Sequence, residues 1–375
     1  MSALRRPLAR LRLPAPLAAY FARHRSLAIV AAIAAIGVAL PLLSLVPPFG
    51  LLQSTNAWTN AFTIAAIYAM LAIGLNVVVG FAGLLDLGYA AFFALGGYAY
   101  AVVASPLFGL DVPFWPMLIA GAVIAAIFGV LLGAPTLRLR GDYLAIVTLG
   151  FGEIVPITLL NADRFTGGVI GIGGIDRPAL PGLGVFSIID PWPYYVLVLS
   201  MLAIVVVVVK RLEESRVGRA WEAIREDELA AESSGINTVV SKLQAFAVGA
   251  AIAGFAGVFN AAKLTIVSPQ QFGFVVSVST LSAVVLGGMG NVVGVGIGAF
   301  VIYLVQSIFL KQLNILFDQI QLPIISGIDF LQFQYVLYGV VLVLMMLKRP
   351  QGIYPARRRM RTFSDAAPAA KGAKR

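Results

Sequence analysis

Apolar residues along this chain come in long unbroken runs, and the polar residues are swept into the gaps between them. The runs fall at about 27–46, 58–79, 89–108, 115–134, 143–161, 192–209, 243–262, 274–288, 292–310 and 331–347. A helix rises about 1.5 Å per residue, so about 20 apolar residues cross the roughly 30 Å of a bilayer core. The pattern predicts an all-α polytopic membrane protein with about ten transmembrane helices. The runs at 89–108 and 274–288 are short and rich in glycine. The alternative topology is about eight crossings plus two re-entrant half-helices, which a bilayer tolerates where protein or a water-filled cavity covers the backbone. Small residues recur in the spans, as at Gly249, Gly254 and Gly257 or Gly294, Gly296 and Gly298. They let helix backbones approach closely.

Composition strengthens this reading. The 375 residues are 60% apolar and 12% charged, and the mean hydropathy is +0.93. A soluble domain carries about 25% charged residues. Too little polar sequence is left here to cover a water-facing surface. A net charge of +10 raises nucleic acid as a partner, but its distribution argues against that class. Six Lys/Arg lie in residues 1–26, two are Arg138 and Arg140, six fall between Lys210 and Lys242, and nine lie from Lys348 onward. Each cluster flanks an apolar run, which is the positive-inside pattern. Both termini, the 138–140 turn and the 210–242 loop are therefore expected in the cytoplasm. Residues 1–26 read as a basic tail and 27–347 as one transmembrane domain with an outer loop at 162–191. Residues 348–375 read as a second basic tail, disordered after Pro355. The 27–46 run is too long for a signal peptide and ends in no small-x-small site, so it is expected to remain as a first span. Two glycine-rich segments, Gly80–Gly97 and Gly287–Gly298, hint at an internal repeat.

Candidate chemistry is sparse. There is no cysteine, and the one histidine, His24, lies in the N-terminal tail. Thiolate catalysis, Cys- or His-based metal sites and a Ser–His pair are therefore not expected. No G-x-x-x-x-G-K-[ST] loop is present, so any ATP is bound by another chain. Three ionisable groups lie in or beside spans: Asp86 at a glycine-rich break, Glu153 inside a run, and Lys263 at the end of one. Asp86 reads equally as a hydrated or capping carboxylate and as a functional group. Glu153 points to bundle packing or a subunit interface more than to substrate. A proton relay needs a second intramembrane acid or histidine, which weakens an ion-coupled secondary carrier as the alternative. The one long charged stretch inside the chain runs from Lys210 to Lys242. From Gly218 to Glu232 it has no proline and favours a helix, with Trp221, Ile224 and Leu229 near one stripe and Gly235 as a stop. Its acidic excess disfavours adhesion to anionic lipid. A docking helix for a cytoplasmic protein fits better.

Four passages carry a resemblance. They are Gly74-Leu75-Asn76 through Gly83-Leu84-Leu85-Asp86-Leu87-Gly88; Leu137-Arg138-Leu139-Arg140-Gly141-Asp142-Tyr143; Ser215 through Ile236, with Ala223-Ile224-Arg225-Glu226-Asp227-Glu228 at its centre; and Ser268-Pro269 followed by Leu286-Gly287-Gly288-Met289-Gly290-Asn291. Together they resemble the LivM-type branched-chain amino acid ABC transporter permeases. The resemblance implies a multi-pass subunit of the bacterial inner membrane, without enzymatic activity or a bound cofactor of its own. ATP and magnesium would sit on two cytoplasmic ATPase subunits. A second, homologous permease, a periplasmic substrate-binding protein and membrane lipid complete the expected partners. Contact with the ATPases would be carried by Gly218, Arg219, Trp221, Ala223, Ile224, Arg225, Glu226, Asp227, Glu228 and Gly235. The pathway is expected to involve Asn76, Gly83, Asp86, Gly88, Glu153, Gly287, Gly288, Gly290 and Asn291. The outer loop Thr166-Gly167-Gly168-Val169-Ile170-Gly171 departs from the family pattern, with apolar Val169 and Ile170 where polar residues are usual. The substrate can therefore be a branched-chain amino acid, another amino acid, urea or a short amide.

Overall fold

The computed structural model describes residues 54–313 apart from 107, 137–141, 181 and 183, then 333–349 and 351–354, with a few positions between 33 and 41 and residue 315. Helix α1, Thr55–Leu75, begins on Ser54, whose hydroxyl accepts the Ala57 N–H at 3.4 Å. It runs directly into a π-helical turn, Asn76–Phe81. Then come α2 (Tyr89–Val103), α3 (Phe114–Thr136), α4 (Asp142–Asn161) and α5 (Trp192–Glu213). Two short helices, α6 (Arg216–Glu226) and α7 (Glu228–Ser233), precede the long α8 (Thr238–Leu264). Helix α9 (Phe274–Gly287), α10 (Val292–Leu304), a second π turn at Val305–Leu310 and α11 (Phe333–Lys348) follow.

Among the described residues, seven helices are long and apolar enough to cross a membrane, and α2 and α11 are shorter apolar helices. The protein is an all-α, multi-pass membrane protein. The 89–108 run makes a helix of only 15 residues. It ends ahead of Ser105-Pro106, because proline disfavours helical geometry in the residue before it. The 274–288 run is lengthened at its start by a tight turn at Pro269–Phe272, and together they span 19 residues. The expected tail 1–26, Arg138, Arg140 and the tail beyond Tyr354 lie outside the described residues. So does most of the 27–46 run, although Gly37 is described, and its carbonyl accepts the Tyr195 hydroxyl at 2.7 Å.

Helix α8 is the centre of the bundle, and small residues let its neighbours touch its backbone. A Cβ added at Gly96 of α2 would lie 2.2 Å from the Gly254 carbonyl oxygen of α8. A Cβ at Gly257 would lie 2.2 Å from the Phe93 carbonyl oxygen. A Cβ at Gly254 would lie 2.5 Å from the Cβ of Ala125 in α3. The Tyr89 hydroxyl donates to the Gly249 carbonyl at 2.8 Å, pinning α2 to α8. These contacts replace the hydrophobic force that lipid does not supply.

The loops sort to two ends. At one end, strand β1 (Ile172–Gly173) of the 162–191 loop pairs antiparallel with β4 (Ile266–Val267), which follows α8. The Trp115 indole donates to Ala179 O at 2.8 Å, beside the small hairpin of β2 (Ala179–Leu180) and β3 (Gly184–Val185). At the opposite end lie the π turn after α1, the α6–α7 pair, the α9–α10 turn and residues 351–354. Of the four basic clusters, the 210–242 stretch and the start of the C-terminal tail are described, and these two share this end.

Gly96→Ala is expected to destabilise the bundle by about 1–3 kcal/mol, the usual cost of overpacking. Gly150→Ala in α4, where an added Cβ meets nothing within 4 Å, is expected to be neutral or slightly stabilising. Thermal unfolding of the two detergent-solubilised variants checks this; equal midpoints would contradict the packing account.

Candidate functional site

The α6–α7 pair is a folded element seated on the helix ends. The Ser215 hydroxyl caps α6 by accepting the Gly218 N–H at 3.3 Å. Gly218 is buried, and a Cβ there would lie 2.3 Å from the Leu212 carbonyl oxygen at the end of α5. Its small size is thus required within this chain. Trp221 is fully buried, and its indole donates to Ser241 O at 2.7 Å. Ile224 is buried beside it. The expected single helix from Gly218 to Glu232 is instead broken at Asp227, which is extended with φ −155° and ψ 111°. Its carboxylate accepts the N–H groups of Leu229 and Ala230 at 2.9 and 3.0 Å. An aspartate in that register favours capping a new helix over continuing an old one. The break re-aims Leu229, which is 63% exposed and not part of the buried stripe. Glu228 folds back to Lys242 at 2.5 Å. Gly235 ends α7 with φ +84°, as expected, and Ile236 N–H closes on Ala231 O at 3.1 Å. Arg219 donates to Glu214 O at 3.0 Å and, with Glu226 and Asp227, stays on the open face. Ala223 is half-buried.

Arg225 points the other way. Its guanidinium donates to the Gly80 carbonyl in the π turn. Its stem lies against Gly83, where a Cβ would come 2.9 Å from Arg225 Cγ. Gly83 has φ +73° and lets the Leu84 N–H return to Val78 O at 3.1 Å, which ends the helix. Asn76 is fully buried, and its Oδ1 accepts the Gly290 N–H at 2.8 Å. A Cβ at Gly287 would lie 2.3 Å from Gly294 O, so this glycine permits the α9–α10 crossing. Gly288, with φ +113°, lies under residues 351–354. Ile353 and Tyr354 donate from their backbones to Leu286 O and Gly287 O at 2.9 and 3.1 Å. Asn291 caps α10 by accepting from Val293 and Gly294 at 3.0 and 3.2 Å. The expected pathway residues Asn76, Gly83, Gly287, Gly288, Gly290 and Asn291 therefore pack, turn or cap.

The remaining candidates differ from these. Gly88 is a contact point, since its Cβ would lie 2.2 Å from Thr148 O in α4. Asp86 lies in the connection before α2 and is buried. Its Oδ1 accepts the Gly88 N–H at 2.9 Å, while Oδ2 is buried without a hydrogen-bond partner. It borders a small cavity walled by Phe92, Thr136, Thr148 and Phe246. Burial pushes its carboxyl up to about 6, only partly offset by the Gly88 N–H. Glu153 is exposed on α4, which excludes a role in packing within this chain. Of the α4 span 22% is buried, against 89% for the span that contains α1.

Residues 57–346 match the family described as branched-chain amino acid transport system / permease component. The chain belongs to this family. It is 42% identical over 341 residues to the high-affinity branched-chain amino acid transport system permease protein LivM of Escherichia coli K12, covering 86% of this chain and 75% of that one. The LivM protein of Salmonella typhimurium is 42% identical over 316 residues, with 79% and 69% covered. The permease protein LivH of Escherichia coli K12 is 25% identical over 314 residues, with 78% and 93% covered. No solved structure matches the chain.

Within this permease, several structural partners had no sequence signal. The Lys242–Glu228 pair, the Trp221–Ser241 bond and the docking of 351–354 on Leu286 and Gly287 all join residues distant in sequence or across a turn. Gly80, which receives Arg225, stood among the glycine-rich residues but carries its role through a backbone carbonyl.

The raised carboxyl of Asp86 sets a pH dependence. The folded state holds that proton more tightly than the unfolded chain, so stability falls as pH rises from about 4 through about 6. Asp86→Asn is expected to flatten the thermal midpoint between pH 4 and pH 7, and an unchanged pH profile in that variant would contradict the assignment.

Proposed function

We propose that this chain is the membrane-spanning permease subunit of an ABC importer. It translocates branched-chain or closely related amino acids across the bacterial inner membrane and is energised by separate ATPase subunits. The observation that carries this reading is the α6–α7 element. A soluble-looking, capped helix pair is anchored by Trp221 and Ile224, while Arg219, Glu226, Asp227 and Leu229 face outward. An anchored helix with an open mixed face suits a groove in a cytoplasmic protein. Two ATPases are the expected occupants, with ATP and magnesium bound on them. The end bearing α6–α7 is then cytoplasmic, as the loop charges favour, and the chain has about ten spans with both termini on that side.

The likeness to both LivM and LivH of one bacterium supports pairing with a sister permease. Helix α4 is the face for that role. It is the least covered of the long spans and presents Glu153, a carboxylate in an otherwise apolar stretch. Such a group favours a polar pathway or partner over lipid. The substrate pathway therefore runs between the two permeases along α4, with Glu153 at its wall. At the outer end, Val169, Ile170, Ile188 and Ile189 are all well exposed. Exposed apolar side chains on a glycine-rich loop suit a periplasmic binding protein that delivers the substrate.

Reconstitution with the ATPases, sister permease and binding protein tests the function: leucine uptake is expected only with ATP. Uptake by this chain alone under a proton or sodium gradient would favour the ion-coupled carrier instead. Glu226→Lys is expected to weaken ATPase copurification several-fold, without the loss of the Lys242 pair that Glu228→Lys would add. For the pathway, Gly150→Cys on the open face of α4 is expected to react with a polar thiol reagent in the assembled transporter. Ser282→Cys, buried in α9, is expected to stay unreactive. Equal labelling of the two would remove α4 from the pathway wall.

A further inference from the structure

We infer that Arg225 and Asn76 are positioning residues that carry movement of the docking helix into the membrane body through the π turn Asn76–Phe81. This rests on the importer reading above and names the linkage that reading requires. Four observations join into one path. Arg225 leaves the open face of α6 and donates to the Gly80 carbonyl, while its stem packs on Gly83. A cation at a helix C-terminus is also favoured by the helix dipole. Gly80 lies directly against the next member of the path, since a Cβ there would be 2.0 Å from Asn76 Oδ1 and 2.8 Å from the Gly290 nitrogen. Asn76 Oδ1 in turn accepts the Gly290 N–H at 2.8 Å, which fixes the α9–α10 turn. The path thus runs from α6 through the end of α1 to α9 and α10.

The π turn is suited to switching. Its i→i+5 bonding is rare and recurs at functional sites, and here it lies between two tethers. Asn76 Nδ2 is buried without a hydrogen-bond partner. A native buried amide left in that state asks for an explanation. A second arrangement of the turn, reached when Arg225 pulls on the Gly80 carbonyl, gives that group a way to be satisfied. Movement of α6 is then converted into a shift of the Gly287–Asn291 turn, and with it of α9 and α10.

The test uses the complete transporter in proteoliposomes, measuring leucine uptake and ATP hydrolysis together, and subunit copurification separately. Arg225→Met keeps the stem on Gly83 and removes the donor; Arg225→Lys keeps a donor; Asn76→Ala removes the far tether. The expected result is normal copurification with uptake per ATP lowered about ten-fold in Arg225→Met and in Asn76→Ala. Arg225→Lys recovers part of the loss. The double variant is no worse than the worse single one, because both lie on one linkage. Unchanged uptake per ATP in either single variant, additive losses, or losses that merely track missing subunits would overturn the inference. Absence of ATP-dependent uptake in the unsubstituted transporter would instead overturn the importer reading beneath it.

Discussion

Helices in hydrocarbon gain little by hiding apolar side chains, since lipid is as apolar as they are. What this bundle gains, it gains by contact distance. Gly96, Gly254 and Gly257 bring three backbones to separations that a Cβ on any of them would forbid. Helix α8 can therefore serve as a common wall for α2 and α3. The same constraint separates the two faces of α4: Gly152 sits against Gly88, whereas Gly150 meets nothing and the span is mostly uncovered. It touches its own chain mainly near Gly88, where a Cβ on Gly152 would lie 2.8 Å from the Gly88 Cα, and most of its remaining surface is open.

A second constraint acts at the helix ends, where backbone carbonyls and N–H groups lose their helical partners. The polar side chains of this protein are spent largely there. Ser215, Asp227 and Asn291 accept orphan N–H groups, and Arg225 donates to an orphan carbonyl. Several residues that look like pathway or docking groups in sequence are thus occupied by the backbone of this chain. Glu153 is not occupied in this way, and its exposure on α4 is what makes it informative.

These two constraints meet at the end where α6, the π turn and the α9–α10 turn converge. Small residues make the approach possible there, and side-chain-to-backbone bonds hold it. Residues 351–354 close the same region from the other direction by pairing with Leu286 and Gly287. The α6–α7 pair is consequently fastened to the spans rather than hung from a flexible loop.

Apolar run length placed the seven long apolar helices among the described residues, while the 89–108 and 331–347 runs gave shorter helices. The bilayer demands about 20 such residues in a helix, whatever the neighbours are. Charge clustering grouped the 210–242 stretch with the start of the C-terminal tail for an equally local reason, and Gly235 marked a helix end through its own backbone preference. The break at Asp227 was a choice between two local preferences, continuing a helix or capping one, and only the folded chain shows which won. Arg225, Glu228, Asn76 and Trp221 were legible as unusual residues but not as partners of Gly80, Lys242, Gly290 and Ser241. Those contacts depend on how whole helices cross, and a crossing is set by the sum of many small surfaces rather than by any one stretch of chain. Whether Glu153 lay inside the bundle or outside was likewise decided only when α4 took its place at the edge of the bundle.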